Sequence, residues 1–283
     1  MPPTVTIIGE GRVGGSLAQR LRDVGESVSV VHRSNFSEWL RTGSIGRILV
    51  IAVKDADLTR VIHDIAQANL NSKDDASDNA GRTLSGVVVF HVNGSLGTTV
   101  LNELAREGAK VGAAHPFQTF DKVDPTALDG VGWGVESDDE TWPVLRDFIE
   151  RTGGVAVRLI GLTEELKRIY HASAVAASNF SYAAYELGRR LADSAGIDPA
   201  LFLIPIMRRT LQNAASAMQA NEPFGVTGPL IRGDVEGVRK QLSSIPPELR
   251  SMYCYLSLAL LEVVRERMDA DVVDAMRDVL HLS

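Results

Sequence analysis

The stretch TVTIIGEGRVGGSLAQRL, Thr4 to Leu21, restricts the fold of this chain more than any other. Val5, Ile7 and Ile8 form a short apolar run with the character of a buried strand. Gly9-Glu10-Gly11-Arg12-Val13-Gly14 follows at once, and Ser16 to Val24 takes helical spacing. Each glycine has its own duty in such a turn. Gly9 permits the tight bend, Gly11 leaves the backbone bare for a diphosphate, and Gly14 lets helix and strand pack closely. Free N–H groups and a partial positive charge at the helix start complete the anion site. Strand, G-x-G-x-x-G and helix in that order predict a dinucleotide site at Gly9, Gly11, Arg12, Val13 and Gly14.

Gly25 ends the first helix, and Val28, Val30 and Val31 make a second strand that closes on His32-Arg33-Ser34. A dinucleotide's ribose is read about 20 residues past the glycines. An acidic group there suits the free 2′-hydroxyl of NAD, whereas an arginine suits a 2′-phosphate. His32, Arg33 and Ser34 offer a cation and a hydroxyl, so the expected cofactor is NADP, with NAD less favoured. A charge-assisted contact from Arg33 would contribute about 1.5–3 kcal/mol. A solvated arginine at a strand end is the plain alternative.

Ile48 to Val53 reads as a third buried strand. Val53 and Lys54 lie at its end, over the expected cofactor path, and a helix with Leu58, Val61, Ile62 and Ile65 follows. Asp55 or Asp57 suits its N-cap. Asn69 to Thr83 is polar and without period, as in a mobile surface loop. Further strands are expected at Val87–Val92, from Val111 to an end in His115-Pro116-Phe117-Gln118-Thr119-Phe120, at Gly132–Val135 and at Val155–Ile160. Helices are expected at about Gly97–Glu107 and Thr141–Arg151. Such alternation predicts an α/β fold: an N-terminal Rossmann domain with a doubly wound, mostly parallel sheet, residues 1–161. No strand signal follows Thr163. Residues 162–283 are read as an all-helical domain for substrate and dimerisation, with helices from Thr163 to about Ala195 and at about 199–220, 234–242, 247–267 and 269–281.

Ligands of open α/β sheets bind beyond the carboxyl ends of the strands, where His91, Asn93, Ser95 and His115 fall. Lys167 and His171, four residues apart, share one helix face, and Asn179 lies off it. A lysine ammonium can donate a proton to a developing alkoxide, and an imidazole can orient the same oxygen. Lys167, His171 and His115 are the catalytic candidates; a solvated lysine and packed histidines are the plain alternatives. Asn93 and Arg232 are substrate-binding candidates. Arg232, in TGPLIRGD, would clamp a carboxylate bidentately or pair with Asp234 to hold a helix start.

The formal charge of −7 over 283 residues argues against a general affinity for nucleic acid or an anionic membrane. Cys254 is the only cysteine, which rules out an intrachain disulfide and suits a reducing cytoplasm. No basic-plus-apolar leader is present, and the longest apolar run, Met252 to Leu261, is too short to span a bilayer. The histidines and the lone cysteine show no metal-ligand spacing, so no metal is expected. Met252 to Val264 and the alanine-rich helix suit a homodimer interface, and burial within the domain explains them almost as well.

Together these segments resemble the bacterial Rossmann-like proteins that carry a C-terminal helical domain of unknown function. The resemblance rests on Gly9–Gly14, on HPFQTF at His115–Phe120, on Lys167 with Tyr170-His171 and Ser178-Asn179, and on TGPLIRGD at Thr227–Asp234. More distantly the chain is similar to the β-hydroxyacid dehydrogenase, ketopantoate reductase and pyrroline-5-carboxylate reductase group. That likeness implies a Rossmann domain followed by an all-helical one, and often a dimer. In the β-hydroxyacid dehydrogenases a lysine opening the long helix acts as acid/base, with an asparagine four residues later. Lys167 matches the lysine, and His171 replaces the asparagine. The resemblance implies an NADP-dependent oxidoreductase moving a hydride to or from a small carbonyl, hydroxy-acid or imine. A non-enzymatic NADP(H) redox sensor, or a structural dimer, is the alternative.

Overall fold

The computed structural model describes residues 3–74 and 83–281. The chain divides into two compact units, Met1–Ala177 and Ser178–Ser283. Strand patterning stops near residue 161, but the division by contacts falls later, inside a helix.

The first unit runs β1 (Val5–Ile8), α1 (Arg12–Asp23), β2 (Val28–Val31), α2 (Phe36–Thr42), β3 (Ile48–Ile51) and α3 (Asp55–Asp74). It continues through β4 (Val88–His91), α4 (Asn102–Arg106), β5 (Lys110–Pro116), β6 (Gly132–Ser137), α5 (Trp142–Arg151) and β7 (Val155–Arg158). The seven-stranded sheet has the order β2-β1-β3-β4-β5-β6-β7. Every neighbouring pair is parallel except β5–β6. The doubly wound Rossmann architecture read from the sequence is therefore present. Strands β1, β3 and β4 are buried along their whole length, as a sheet covered on both faces requires. Leu17, Leu21, Trp133, Leu145 and Phe148 fill one face. Trp39, Leu58, Ile62, Leu101 and Leu104 fill the other.

Register decides where the chain leaves this sheet. Ile8 lies beside Val31 and Ile51, and Ile51 beside His91. The carboxyl ends of four strands are thus flush. The winding reverses between β1 and β3, a switch point at which doubly wound sheets hold ligands.

Four local expectations change. Helix α1 starts inside the glycine motif, at Arg12. The Gly97–Glu107 segment is a 3₁₀ turn, Thr98–Leu101, followed by the short α4. Asp55 and Asp57 both lie within the first turn of α3 rather than capping it. Helix α3 also runs on to Asp74, past Asn69, which is only 1% exposed. Asn69 donates to Glu107 Oε2 at 2.8 Å and accepts from Leu84 N at 3.1 Å. The polar character of Asn69 thus pins a helix instead of marking a loop, and residues 75–82 of that expected loop lie outside the described residues.

The second helical region begins with α6 (Glu164–Ser194), within which the two units divide. Thr163 accepts from Leu166 N at its start. Then come α7 (Pro199–Ala220), α8 (Val235–Ser244), α9 (Pro247–Val264) and α10 (Ala270–Leu280). Asp198 caps α7 by accepting from Ala200 N at 2.8 Å, and Asn221 in the left-handed region ends it. Leu230, Val238, Cys254, Leu261, Val264 and Met276 form a core. The apolar stretch of α9 therefore contributes to packing inside its own unit. Helix α7 exposes Leu201, Phe202, Ile204, Ile206, Leu211 and Met218. Among the described residues no helix is long and apolar enough to cross a membrane.

Candidate active site

The turn after β1 divides the three glycine duties as the motif requires. Gly9 has φ +101°, and a side chain there would strike the Ala52 carbonyl at the end of β3. A Cβ on Gly14 would overlap the Gly9 carbonyl oxygen. Gly11, by contrast, has no atom within 4 Å of where its Cβ would stand, and it is exposed. Crowding at the first and third glycines with open space at the second is the shape a diphosphate needs. No side chain caps α1, and its first turn holds no acidic residue, so its leading N–H groups face that space unopposed. Val13 lies in this turn and packs toward the core. Arg12 is exposed, and its guanidinium donates to the Phe120 carbonyl at 3.0 Å.

Beside this turn lies a pocket of about 290 Å³, with Gly9, His32, Arg33, Val53 and Arg60 among its walls. Arg33 and Ser34 are exposed at the tip of β2. His32 pairs with Glu10 of the glycine turn at 2.6 Å, and its N–H donates to Asn35 Oδ1 at 2.7 Å. Lys54 is exposed, and its carbonyl accepts from Asp57 N at 2.9 Å as α3 begins. Residues expected to meet the adenosine end are therefore grouped on one edge of the sheet.

The second cluster forms at the ends of β4 and β5, where the start of α6 meets them within the first unit. Lys167 is 6% exposed, and its ammonium pairs with Glu136 of β6. Glu136 also accepts from Thr98 N at 2.9 Å and from Thr98 Oγ1 at 3.1 Å. One turn further along α6, His171 has a buried Nδ1 with no hydrogen-bond partner among the described residues. Its ring centroid is 5.7 Å from that of His115. His115 Nδ1 lies 3.2 Å from the Tyr170 hydroxyl, and Phe117 packs on Tyr170 at 4.9 Å. The loop after β4 fits against these groups because it carries glycines. A Cβ on Gly94 would come within 2.7 Å of both His115 and His171, and one on Gly97 would strike the Lys167 ammonium.

Burial sets the protonation of this cluster. His115 is pushed down to about 4, first by burial and then by the neighbouring His171 and His91. Burial pushes the Tyr170 phenol up to about 12. A protonated phenol and a neutral imidazole share this bond, and the tautomer of His115 sets which of the two donates. His91, fully buried, is also held below its ordinary value by burial. Its Nδ1 accepts from Asn93 N at 3.2 Å. The other ring nitrogen therefore carries the hydrogen and donates to the Gly97 carbonyl at 3.1 Å. Burial raises Glu136, but hydrogen bonds from Lys167 and Thr98 outweigh it, and the carboxyl lies below its usual range.

The structure brings Lys167, His171 and His115 together. It gives Asn93 a local task, since its side-chain oxygen accepts from Ser95 N at 2.8 Å, Ser95 Oγ at 3.0 Å and Leu96 N at 2.9 Å. Arg232 belongs to the second unit and is exposed. Asp234 caps α8 by accepting from Gly237 N at 2.9 Å. Glu136, Gly94, Gly97 and Arg60 escaped the sequence reading. The paired glycines after β4 were the available sign of a loop pressed against other groups. Among the described residues no group of three or more His, Cys, Asp or Glu side chains is placed to hold a metal ion.

Fold and site together define a Rossmann dinucleotide-binding unit with a helical region after it. Residues 131–260 match the family described as Domain of unknown function (DUF2520). The N-terminal glycine turn and HPFQTF lie ahead of that match. No curated protein matches the chain. Among solved structures, a protein of Bacteroides fragilis provisionally assigned as an NADP oxidoreductase is similar at 19% identity and TM-score 0.68, over 92% of this chain and 98% of its own. Plasmodium falciparum pyrroline carboxylate reductase with NADP bound is similar at 14% identity and TM-score 0.56, over 98% of this chain and 95% of its own. Reductive aminase from Aspergillus terreus in complex with NADPH is similar at 13% identity and TM-score 0.55, over 99% of this chain and 93% of its own. The shared property is the fold.

Proposed function

We propose that this chain is an NADP-dependent oxidoreductase acting on a small carbonyl, hydroxy-acid or imine. One observation carries the reading. The unit that holds the diphosphate-shaped turn also gathers Lys167, His171 and His115 at the ends of its strands, where a substrate would meet a nicotinamide. The likeness in fold to proteins named for NADP or NADPH supports it. Gly9, Gly11, Gly14 and the start of α1 would hold the diphosphate, and Arg33 with Ser34 the ribose phosphate. The bound cofactor would supply or accept a hydride.

The chain's own residues then manage the proton. Lys167, paired with Glu136, is a donor whose position is set by two elements of the sheet unit. His171 Nδ1 is buried with no hydrogen-bond partner among the described residues, a demand that a substrate oxygen or nitrogen would meet once the ring turns toward it. His115, neutral and bonded through Nδ1 to the Tyr170 hydroxyl, stands beside His171 and orients the same end of the site. Such a set of buried donors favours an enzyme over a redox sensor, which needs none.

The exposed apolar side chains of α7 support a homodimer built through the second unit. A free, buried Cys254 fits a cytoplasmic protein. The direct test is oxidation of NADPH by the purified protein across 2-keto acids and cyclic imines, with Lys167→Ala and His171→Ala as controls. Turnover that both variants abolish is the expected result. Tight NADPH binding with no turnover on any of these compounds would remove the enzymatic reading. Sedimentation at micromolar concentration tests the dimer, and a 30.6 kDa species would reject it.

A further inference from the structure

The pocket beside β2 has a second wall that the glycine motif and the strand end do not announce. Asp57 and Arg60 of α3 line it together with Arg33 of the β2 end. Arg60 Nη2 donates to Asp57 Oδ1 and Nη1 to Asp64 Oδ2, each at 3.1 Å. These pairs steer the guanidinium without burying it, since the side chain remains 53% exposed. A guanidinium has five N–H donors, and those two bonds leave the others available. Asp57 matters to the same pocket. A bare carboxylate there would accept from a ribose 2′-hydroxyl and repel a 2′-phosphate, so Arg60 also covers a group that would select the wrong nucleotide.

We infer that Arg60 is a specificity-determining residue, contacting the 2′-phosphate together with Arg33 while it masks Asp57. The inference rests on the NADP reading above. The two arginines approach from different elements, one at the tip of β2 and one on α3. A phosphate between them is gripped from two sides, and a nucleotide without that phosphate meets neither grip. Discrimination is then a property of the pair.

Calorimetric titration of NADPH and NADH into the full-length protein tests this without any substrate. The wild type should prefer NADPH. Arg33→Ala should lose that preference, and Arg60→Ala should weaken NADPH about 10-fold or more while leaving NADH no weaker, because the uncovered Asp57 can accept from its 2′-hydroxyl. Arg60→Lys should recover part of the loss. A second substitution, Asp57→Ala in the Arg60→Ala background, should restore NADPH affinity only partly. Full restoration would overturn the contact, because Arg60 would then act only through Asp57. The inference also fails if Arg60→Ala leaves NADPH affinity within about twofold, or weakens both nucleotides equally. A wild type that binds neither nucleotide overturns the NADP reading itself. A wild type that binds NADPH beside an unaffected Arg60→Ala variant overturns this inference alone.

Discussion

The Lys167 ammonium is paired with the Glu136 carboxylate, and the two differ in how deeply they are buried: the Lys167 side chain is 8% exposed, whereas the Glu136 side chain keeps 25%. The difference makes the pair unequal under mutation. Glu136→Gln strands a buried ammonium. Lys167→Met leaves a carboxylate that still accepts from Thr98 and reaches solvent. Removing one partner of a buried pair costs about 3–5 kcal/mol, and partial exposure brings Glu136→Gln to about 2–3 kcal/mol. Urea unfolding should therefore rank Glu136→Gln as the more damaging of the two. The opposite order would mean that Glu136, not Lys167, is the dependent partner.

His115 makes stability depend on pH. The folded protein keeps it neutral to about pH 4, whereas an exposed histidine takes a proton near 6.5. Between those values the unfolded chain binds more protons, so stability rises with pH and is lost on acidification. The contribution reaches about 3 kcal/mol across that window. His91, shifted the same way by burial, adds to it. Unfolding free energies measured from pH 4 to 7 should slope upward, and His115→Asn should flatten the slope. An unchanged slope in that variant would remove His115 as its source.

Gly11 and Gly14 should separate binding from folding. Gly11→Ala places a methyl group in open space, so the unfolding free energy should move by less than about 0.5 kcal/mol. The same methyl group occupies the place proposed for the diphosphate, and NADPH binding should fall sharply. Gly14→Ala forces the helix off the turn and should cost about 1–3 kcal/mol before any ligand is added. Chemical denaturation beside calorimetric titration checks both. Equal loss of stability in the two variants would contradict the division of roles.

The parts of this fold that could be read from sequence were those written in neighbouring residues. An apolar run, three glycines and a helical period identify β1, the turn and α1 without any distant partner. Lys167 and His171 were legible as a pair for the same reason. Glu136 was not: it sits in the polar tail of β6, 31 residues ahead of Lys167, and nothing local distinguishes it from a solvated strand end. Arg60 was hidden because a charged residue on a helix usually faces water. Helix α2 shows one repeat only, Phe36 stacked on Trp39 at 6.0 Å, too little for a period to register. The reversal of β6 was invisible because alternation along a strand is the same in either direction. Asn69 misled because polarity alone does not separate a loop from a buried hydrogen-bonded side chain.

Arg12, at the start of α1, holds the carbonyl of Phe120. What the backbone of the turn offers an anion is a row of peptide dipoles. Fixed dipoles at contact range are little affected by dissolved ions, whereas solvent-exposed guanidinium groups such as those of Arg33 and Arg60 are screened. Raising sodium chloride from 0.05 to about 0.5 M should thus erode the affinity for NADPH much more than that for NADH. The ionic strength of the buffer, rather than any mutation, would then tell the backbone's share of the grip from that of the side chains.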